Sequence, residues 1–431
     1  MKIYFIGIGG IGVSALAQYY LTQGHEIIGA DLSEGAMTPI LKEKGAKIII
    51  GEHRAENLDE DVDWLIYTNA TPKDNPELLA AEKRGLKILS YPQALGQLTQ
   101  KMYTIAVSGM HGKSTTTAMM ALAAIEAGLD PTVIVGTRLA EFDGSNFRAG
   151  KSNYLIIEAD EYRAALLNYQ PDLAVVLNLE EEHLDFYRDL GHIMETFRQY
   201  LTQIKPGGTA ILNRDDKNVM SLYRQDPAFT TYGLDDAKAK EVREVLPVAG
   251  EHNVSNALAV SKTLELLGVE EKTILAGLAK FKGTWRRMEL RGKINSASIY
   301  DDYGHHPTEI KATLQAAREL LSPSSRLWCV FQPHQYDRTW KLFEKFKTAF
   351  KEADEVLLLD IYSVPGRETE EIKQKVSSQK LVQAIDKKNV RYVSSFEKAE
   401  EILRQELKEG DVCLIMGAGD IIKLSQKLLT D

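Results

Sequence analysis

Short apolar runs rich in β-branched and aromatic residues alternate with segments of helical period almost from end to end of the chain. The first run, KIYFIGI at residues 2–8, leads into a helical pattern from about Ile11 to Gln23, and that pattern leads into a second run, EIIGAD. Repeated strand–helix alternation of this kind predicts an α/β protein built on mainly parallel sheets.

Three blocks share this grammar. The first passes through KIII, WLIYTNA and KILS and closes near Leu95 to Gln100. The second opens with the strand YTIAVSG and a helix from Lys113 to Ala127, continues through NYLIIEAD, LAVVLNLE and GTAILN, and ends with a helix from about His252 and the turn FKGTW. The third runs from SIYDDYGHHP through RLWCVFQPH, EVLLLDIY and VRYV to DVCLIMGAGD. Domains are therefore expected at 1–98, 99–287 and 288–431. No internal sequence repeat accompanies the shared pattern.

Composition narrows the function classes. A chain of 431 residues, 44% hydrophobic and 26% charged, is long enough for two or three domains with sizeable cores. The net charge of −9 argues against a general affinity for nucleic acid or anionic membrane, so any phosphate must be held by local geometry. The two cysteines, Cys329 and Cys413, lie inside apolar runs and make no disulfide framework. No apolar stretch reaches the ~18 residues of a membrane span, and MKIYFIGIGG reads as a strand rather than a signal peptide. A cytoplasmic protein is the expectation.

Candidate chemistry gathers at the ends of strands. Gly7, Gly9 and Gly12 form G-x-G-x-x-G between a strand and a helix, with Asp31 closing the next strand. A diphosphate fits there, because the free N–H groups and the dipole of a helix N-terminus favour anions. In the second block Gly109-Met110-His111-Gly112-Lys113-Ser114 has the Gly-Lys-Ser of a phosphate-binding loop but Val107 where the usual pattern has its first glycine. Lys113 would reach the β and γ phosphates and Ser114 would bind Mg²⁺. Two more strands end in Glu158, Asp160 and Glu161 and in Asn178, Glu180 and His183, groups expected to converge on Lys113. Carboxylate oxygens suit Mg²⁺, with His183 as an additional ligand. In the third block Asp301-Asp302-Tyr303-Gly304-His305-His306 and Gln332-Pro333-His334-Gln335-Tyr336-Asp337-Arg338 stand at successive strand ends. Their histidines match no zinc spacing and read as the lining of a polar substrate pocket, while Pro307-Thr308-Glu309 reads as a plain helix cap.

The ordered segments GMHGKSTTT, EADE, NLEEEHLD, GEHNVSNALA, GTWRRME, DDYGHHPTE and FQPHQYDRT together resemble the Mur ligases, ATP-dependent amide-forming enzymes of peptidoglycan precursor synthesis. The glycine-rich start, DDYGHHPTE and FQPH are most similar to the branch that adds the first alanine. The resemblance covers the whole chain and implies three domains: an N-terminal Rossmann-like domain for the UDP sugar, a central P-loop ATPase domain with a mainly parallel sheet, and a C-terminal Rossmann-like domain. It moves Gly9, Gly10, Ile11, Gly12 and Asp31 from a nicotinamide dinucleotide to UDP-N-acetylmuramate. ATP would be held by Gly109, His111, Gly112, Lys113, Ser114, Thr115, His252, Asn253, Asn256, Arg287 and Asp302. Ser114, Glu158 and His183 would hold magnesium. Tyr303, His305, His334 and Arg338 would form the L-alanine pocket, and Lys113, Glu158, His183, His306 and Arg338 would carry catalysis.

The resemblance further implies a cytoplasmic monomer or homodimer with no nucleic-acid or membrane partner. Residues 184–204 contain no lysine, in keeping with a branch that lacks the carbamylated lysine of later-acting relatives. Gln335 stands where arginine is usual and Trp285 where glycine is usual. The rival readings are a recycling ligase that adds a preformed peptide to the same sugar, an NAD(P)-dependent dehydrogenase and a non-catalytic nucleotide-binding switch.

Overall fold

In the computed structural model, which describes residues 1–223, 229–364 and 368–430, the three blocks become three sheets. By packing they fall into two compact units. The first comprises Met1–Glu182, Phe186–Leu246 and Ser255–Phe281, and the second His183–Asp185, Pro247–Val254 and Lys282–Asp431.

The first unit holds two sheets. One contains β1 (Lys2–Ile6), β2 (Glu26–Asp31), β3 (Lys47–Ile50), β4 (Trp64–Tyr67) and β5 (Lys87–Ser90) in the order β3-β2-β1-β4-β5, all parallel. The other contains β6 (Tyr103–Ser108), β7 (Thr132–Leu139), β8 (Ser145–Arg148), β9 (Tyr154–Glu158), β10 (Leu173–Val176), β11 (Thr209–Asn213) and β12 (Phe229–Tyr232). Its order is β12-β11-β10-β6-β9-β7-β8, with only β7 and β8 antiparallel among the described residues. In both sheets the strand that precedes a glycine loop, β1 or β6, has neighbours reached by crossovers in opposite directions. At such a switch point the two following crossovers diverge and leave a crevice at the carboxyl ends of the strands.

One apolar core serves both sheets: Ile3, Phe5, Leu16 and Ile66 belong to the same buried cluster as Ala106, Ile157, Val176 and Phe197. A buried polar seam fixes the register of the helix Ile11–Thr22 on β8. Gln18 donates to Asn146 Oδ1 at 2.9 Å and accepts from Ser145 Oγ at 2.9 Å and Lys44 Nζ at 2.8 Å. Asn146 in turn donates to Ser14 Oγ at 2.9 Å and to the Ile11 carbonyl. With every partner satisfied, such a network specifies one arrangement of the glycine loop on the second sheet.

The second unit is built on β13 (Glu289–Ile294), β14 (Ala297–Asp302), β15 (Leu327–Phe331), β16 (Glu355–Leu358), β17 (Val390–Tyr392) and β18 (Val412–Met416). The order is β13-β14-β18-β15-β16-β17, with β13 antiparallel to β14 and the other pairs parallel. Strands β15 (LWCVF) and β18 (VCLIM) are apolar throughout because helices cover both their faces. Each such side chain contributes about 1.5–3 kcal/mol of burial. Both cysteines sit here as free buried thiols, their pKa values pushed up by burial. The register pairs Asp302 and Phe331 with Met416, so the segments after β14, β15 and β18 leave the same edge.

Candidate active site

The phosphate loop leaves β6 at the switch point and enters the helix Lys113–Glu126. Gly112, its N-cap residue, has φ +83° and Gly109 has φ +130°, both in the range that favours glycine. A Cβ on Gly112 would lie 2.7 Å from Asn256 Oδ1, so the loop is closed from outside by a buried asparagine. The first-turn N–H groups of this helix have no intrahelical acceptor, as an anion cradle requires.

The expected convergence on this loop is observed for Glu158, Glu161, Asn178 and Glu180. The register places Glu158 opposite Val107 and Val176 opposite Ser108, so β6, β9 and β10 end level. The Asn178 side chain accepts from His111 N at 2.8 Å and donates to His111 O at 2.9 Å. His111 Nε2 lies 2.6 Å from Glu180 Oε1. Ser114 Oγ donates to Glu158 Oε2 at 3.1 Å. Lys113 Nζ directs its three protons to Gly109 O at 2.7 Å, Met110 O at 3.1 Å and Glu161 Oε2 at 2.7 Å. Burial works to lower the Lys113 pKa, but the carboxylates of Glu161, Asp160 and Glu158 outweigh it and raise the value. Burial raises the Glu158 pKa, although the Gly136 N–H, Lys113 and Ser114 oppose it. The half-buried Glu158 carboxylate and the Ser114 hydroxyl lie side by side. Hard oxygen ligands of this kind fit a magnesium ion.

The first glycine loop is also organised. Asp31 accepts from Gly9 N at 2.9 Å, Gly10 caps the helix Ile11–Thr22, and Gly10 N returns to Gly7 O at 3.1 Å. Asp31 thus shapes the loop through its backbone. Thr115 is buried in the first turn after Lys113.

In the second unit the segments after β14 and β15 come together. Tyr303 and His305 meet edge to face at 5.7 Å, and His305 and His334 lie 6.1 Å apart. His334 stacks on Tyr362 at 5.4 Å, and Arg338 Nη1 reaches His334 Nδ1 at 3.2 Å. Gln335, in the place of the usual arginine, adopts φ +71° and ψ 130° as N-cap of the helix Tyr336–Lys341, with its N–H held by Tyr362 O at 2.9 Å. A non-glycine residue there is strained, and the strain turns the chain so that His334 and Arg338 face each other.

His306 caps the helix Pro307–Arg318 in a capping box with Glu309, so Pro307 to Glu309 do open a helix. Glu309 does more, accepting from His305 N at 2.9 Å and from Arg287 Nη1 at 3.2 Å. Burial acts to lower the Arg287 pKa, and the charges of Glu309 and Asp302 raise it. Asp302 accepts from Met288 N at 2.9 Å and Gly304 N at 2.6 Å, while burial pushes its carboxyl up. His252 is lowered to about 4 by burial and then by the Arg287 charge, so its imidazole is neutral at pH 7. Asn253 donates to Ala249 O at 2.6 Å.

The candidates thus fall into two groups. Gly109 to Thr115, Glu158 and Asn256 cluster in the first unit, with the first glycine loop in that same unit. His252, Asn253, Arg287, Asp302, Tyr303, His305, His306, His334 and Arg338 belong to the second, as does His183, at φ +52°. The magnesium set expected from sequence is therefore divided, with Ser114 and Glu158 in one unit and His183 in the other. The roles of two residues were not legible in the sequence. Arg286 is buried, donates to Gly417 O at 2.5 Å and places its guanidinium 5.1 Å from the Tyr303 ring centre; its only signal was the paired arginine. Glu161 was expected near Lys113 as one of three acids after β9, but the sequence did not single it out from Glu158 and Asp160 as the direct partner of the ammonium.

Comparison with known proteins agrees with this geometry. Family models match along the chain as "Mur ligase family, catalytic domain" at residues 2–103, "Mur ligase middle domain" at 107–264 and "Mur ligase, glutamate ligase domain" at 286–419. The UDP-N-acetylmuramate–L-alanine ligase of Clostridium acetobutylicum is 39% identical, the alignment covering 100% of this chain and 97% of that one. The enzyme of the same name from Aquifex aeolicus is 40% identical over 100% and 97%. Among solved structures, UDP-N-acetylmuramate-alanine ligase from Thermotoga maritima superposes with a TM-score of 0.81 at 26% identity, over 100% of this chain and 98% of that one. A murein peptide ligase from Psychrobacter arcticus gives 0.73 at 26% identity, with the same coverage. From the strand-end loops, their acids and this full-length similarity, the chain belongs to the Mur ligase family.

Proposed function

We propose that this protein joins L-alanine to the carboxylate of UDP-N-acetylmuramate at the expense of ATP, in the synthesis of peptidoglycan precursors. The observation that carries the reading is the phosphate loop at the β6 switch point, with Lys113 and the Ser114–Glu158 pair at its mouth, in a chain 39% identical over its full length to a ligase of that name.

The chemistry accounts for the residues. A carboxylate resists attack by an amine because oxide is a poor leaving group. Its oxygen therefore attacks the γ-phosphorus of ATP; the bond to the β–γ bridging oxygen breaks, and ADP leaves with that electron pair. The amine of alanine, having given up a proton to a histidine or water, then adds to the acyl phosphate carbonyl, and the tetrahedral intermediate loses the second proton from nitrogen and expels inorganic phosphate. Two anions must meet in the first step, and cations have to neutralise them. Lys113 exchanges Glu161 for the β and γ phosphates. Ser114 and Glu158 would hold one magnesium ion and His183 would help to hold a second, and bound magnesium would supply positive charge where the two anions meet. His252, Asn253, Asn256, Arg287 and Asp302 serve the nucleotide. Tyr303, His305, His334 and Arg338 receive alanine, and His306 and Arg338 face the acyl phosphate. The domain divisions 1–98, 99–287 and 288–431 and a cytoplasmic site of action belong to the same proposal. Among the described residues no helix is long and apolar enough to cross a membrane. A peptide acceptor is the second reading, favoured only by the likeness to the murein peptide ligase. Mass detection of the product formed from UDP-N-acetylmuramate and MgATP with alanine or a peptide tests both.

A further inference from the structure

Tyr91 appears in none of the motifs discussed above. It opens the helix Tyr91–Lys101, whose start is fixed by a capping box between Ser90 and Gln93 and by Pro92. Its ring lies directly on the first glycine loop. A Cβ placed on Gly12 would meet Tyr91 Cζ at 2.9 Å, Cε1 at 3.1 Å and Oη at 3.1 Å. Gly12 is therefore required for a reason other than loop conformation, because any side chain would displace this phenol. Burial raises the pKa of this phenol, and the charges of Glu158 and Asp160 add to the effect. It is consequently neutral at working pH and keeps its proton. Among the described residues no hydrogen bond to this hydroxyl is formed, although it lies against Gly12 at the helix start. The helix start it covers is itself pinned to the second sheet by Asn146 at Ile11 O and Ser14 Oγ, so the phenol stands at a fixed place beside the diphosphate cradle.

We infer that the Tyr91 hydroxyl donates a hydrogen bond to an anionic oxygen of the bound sugar nucleotide, between the glycine loop and the carboxylate to be phosphorylated. The inference rests on the proposed substrate. In this role Tyr91 is a substrate-binding residue that sets where the nucleotide sugar sits along the crevice. Its neutral phenol suits the task, since the neighbouring acids would repel a second anion there while a donor draws one in.

The test is calorimetric titration of UDP-N-acetylmuramate, and separately of UDP, into the wild-type protein and Tyr91→Phe. Phe keeps the ring against Gly12 and removes only the donor. A hydrogen bond to a charged oxygen corresponds to a roughly 10- to 100-fold loss of affinity for UDP-N-acetylmuramate. Affinity for MgATP and the melting temperature should stay at the wild-type values, which separates lost contact from lost fold. An equal loss for UDP assigns the oxygen to the diphosphate; a loss confined to the full sugar nucleotide assigns it to the muramoyl part. Unchanged affinity for both ligands overturns the inference. Failure of the wild-type protein to bind UDP-N-acetylmuramate at all would instead overturn the substrate assignment.

Discussion

Lys113 and Glu161 form an ion pair at 2.7 Å whose members are 15% and 1% exposed, and this pair gives the sharpest stability prediction. Replacing Lys113 with Met removes the cation and strands a buried carboxylate beside Asp160 and Glu158. Breaking a buried pair from one side costs about 3–5 kcal/mol. Glu161→Gln leaves the ammonium with Gly109 O, Met110 O and a neutral amide, a milder loss of about 1–3 kcal/mol. In the double variant no stranded charge is left, so its destabilisation should fall short of the sum of the singles by about 2–3 kcal/mol. Urea unfolding followed by tryptophan fluorescence and far-UV circular dichroism measures all three variants. The Lys113 variants should also release no phosphate from ATP. If the two substitutions add to within ~0.5 kcal/mol, the pair is not coupled as the 2.7 Å contact requires, and the reasoning about Lys113 is wrong.

Other outcomes follow from the same geometry. Gly112→Ala must hold a side chain at φ +83° against Asn256; the conformation alone costs about 1–2 kcal/mol, and the KM for ATP should rise, read by phosphate release. His252, lowered to about 4 from 6.5, is a base kept neutral by the fold; it takes up a proton more readily unfolded, so its contribution is present above pH 6.5 and lost as pH falls toward 4. Asp301, raised to about 6 from 3.8 chiefly by burial, with Ser425, Arg291 and Arg286 opposing, has the reverse sign, and its contribution declines as pH rises through that window. Unfolding free energies from pH 4 to 8 should steepen in Asp301→Asn, where that decline is removed, and flatten in His252→Gln. Chelation of divalent metal should abolish phosphate release in the wild-type protein, and Ser114→Ala should raise the magnesium concentration needed for half-maximal rate.

Much of the site was legible because its signals are local. A Gly-Lys-Ser between a strand and a helix places Lys113 at a helix start, and an acid after a buried strand must lie at its carboxyl end; together these put Glu158 and Lys113 on one edge before any coordinates. The cap at Pro307 to Glu309 was legible for the same reason. Long-range pairing was not. Arg286 donates to Gly417 across 131 residues of sequence, and Tyr91 meets Gly12 only because β5 and β1 flank β4 in one sheet. Gln335 shows both sides: the departure from arginine was plain in the sequence, whereas its strained backbone, held by Tyr362 O, depends on a segment beyond β16 that no spacing rule connects to it.

The most direct test of the proposed chemistry is phosphate release from MgATP in the presence of UDP-N-acetylmuramate, run against each of the twenty amino acids and a peptide, with the product identified by mass. Release coupled to the mass gain of one alanine residue, with L-alanine as the preferred acceptor, is the expected result. Release that requires the peptide or a different amino acid would contradict the assignment of alanine, and absence of turnover with every acceptor would contradict the assignment of the sugar nucleotide.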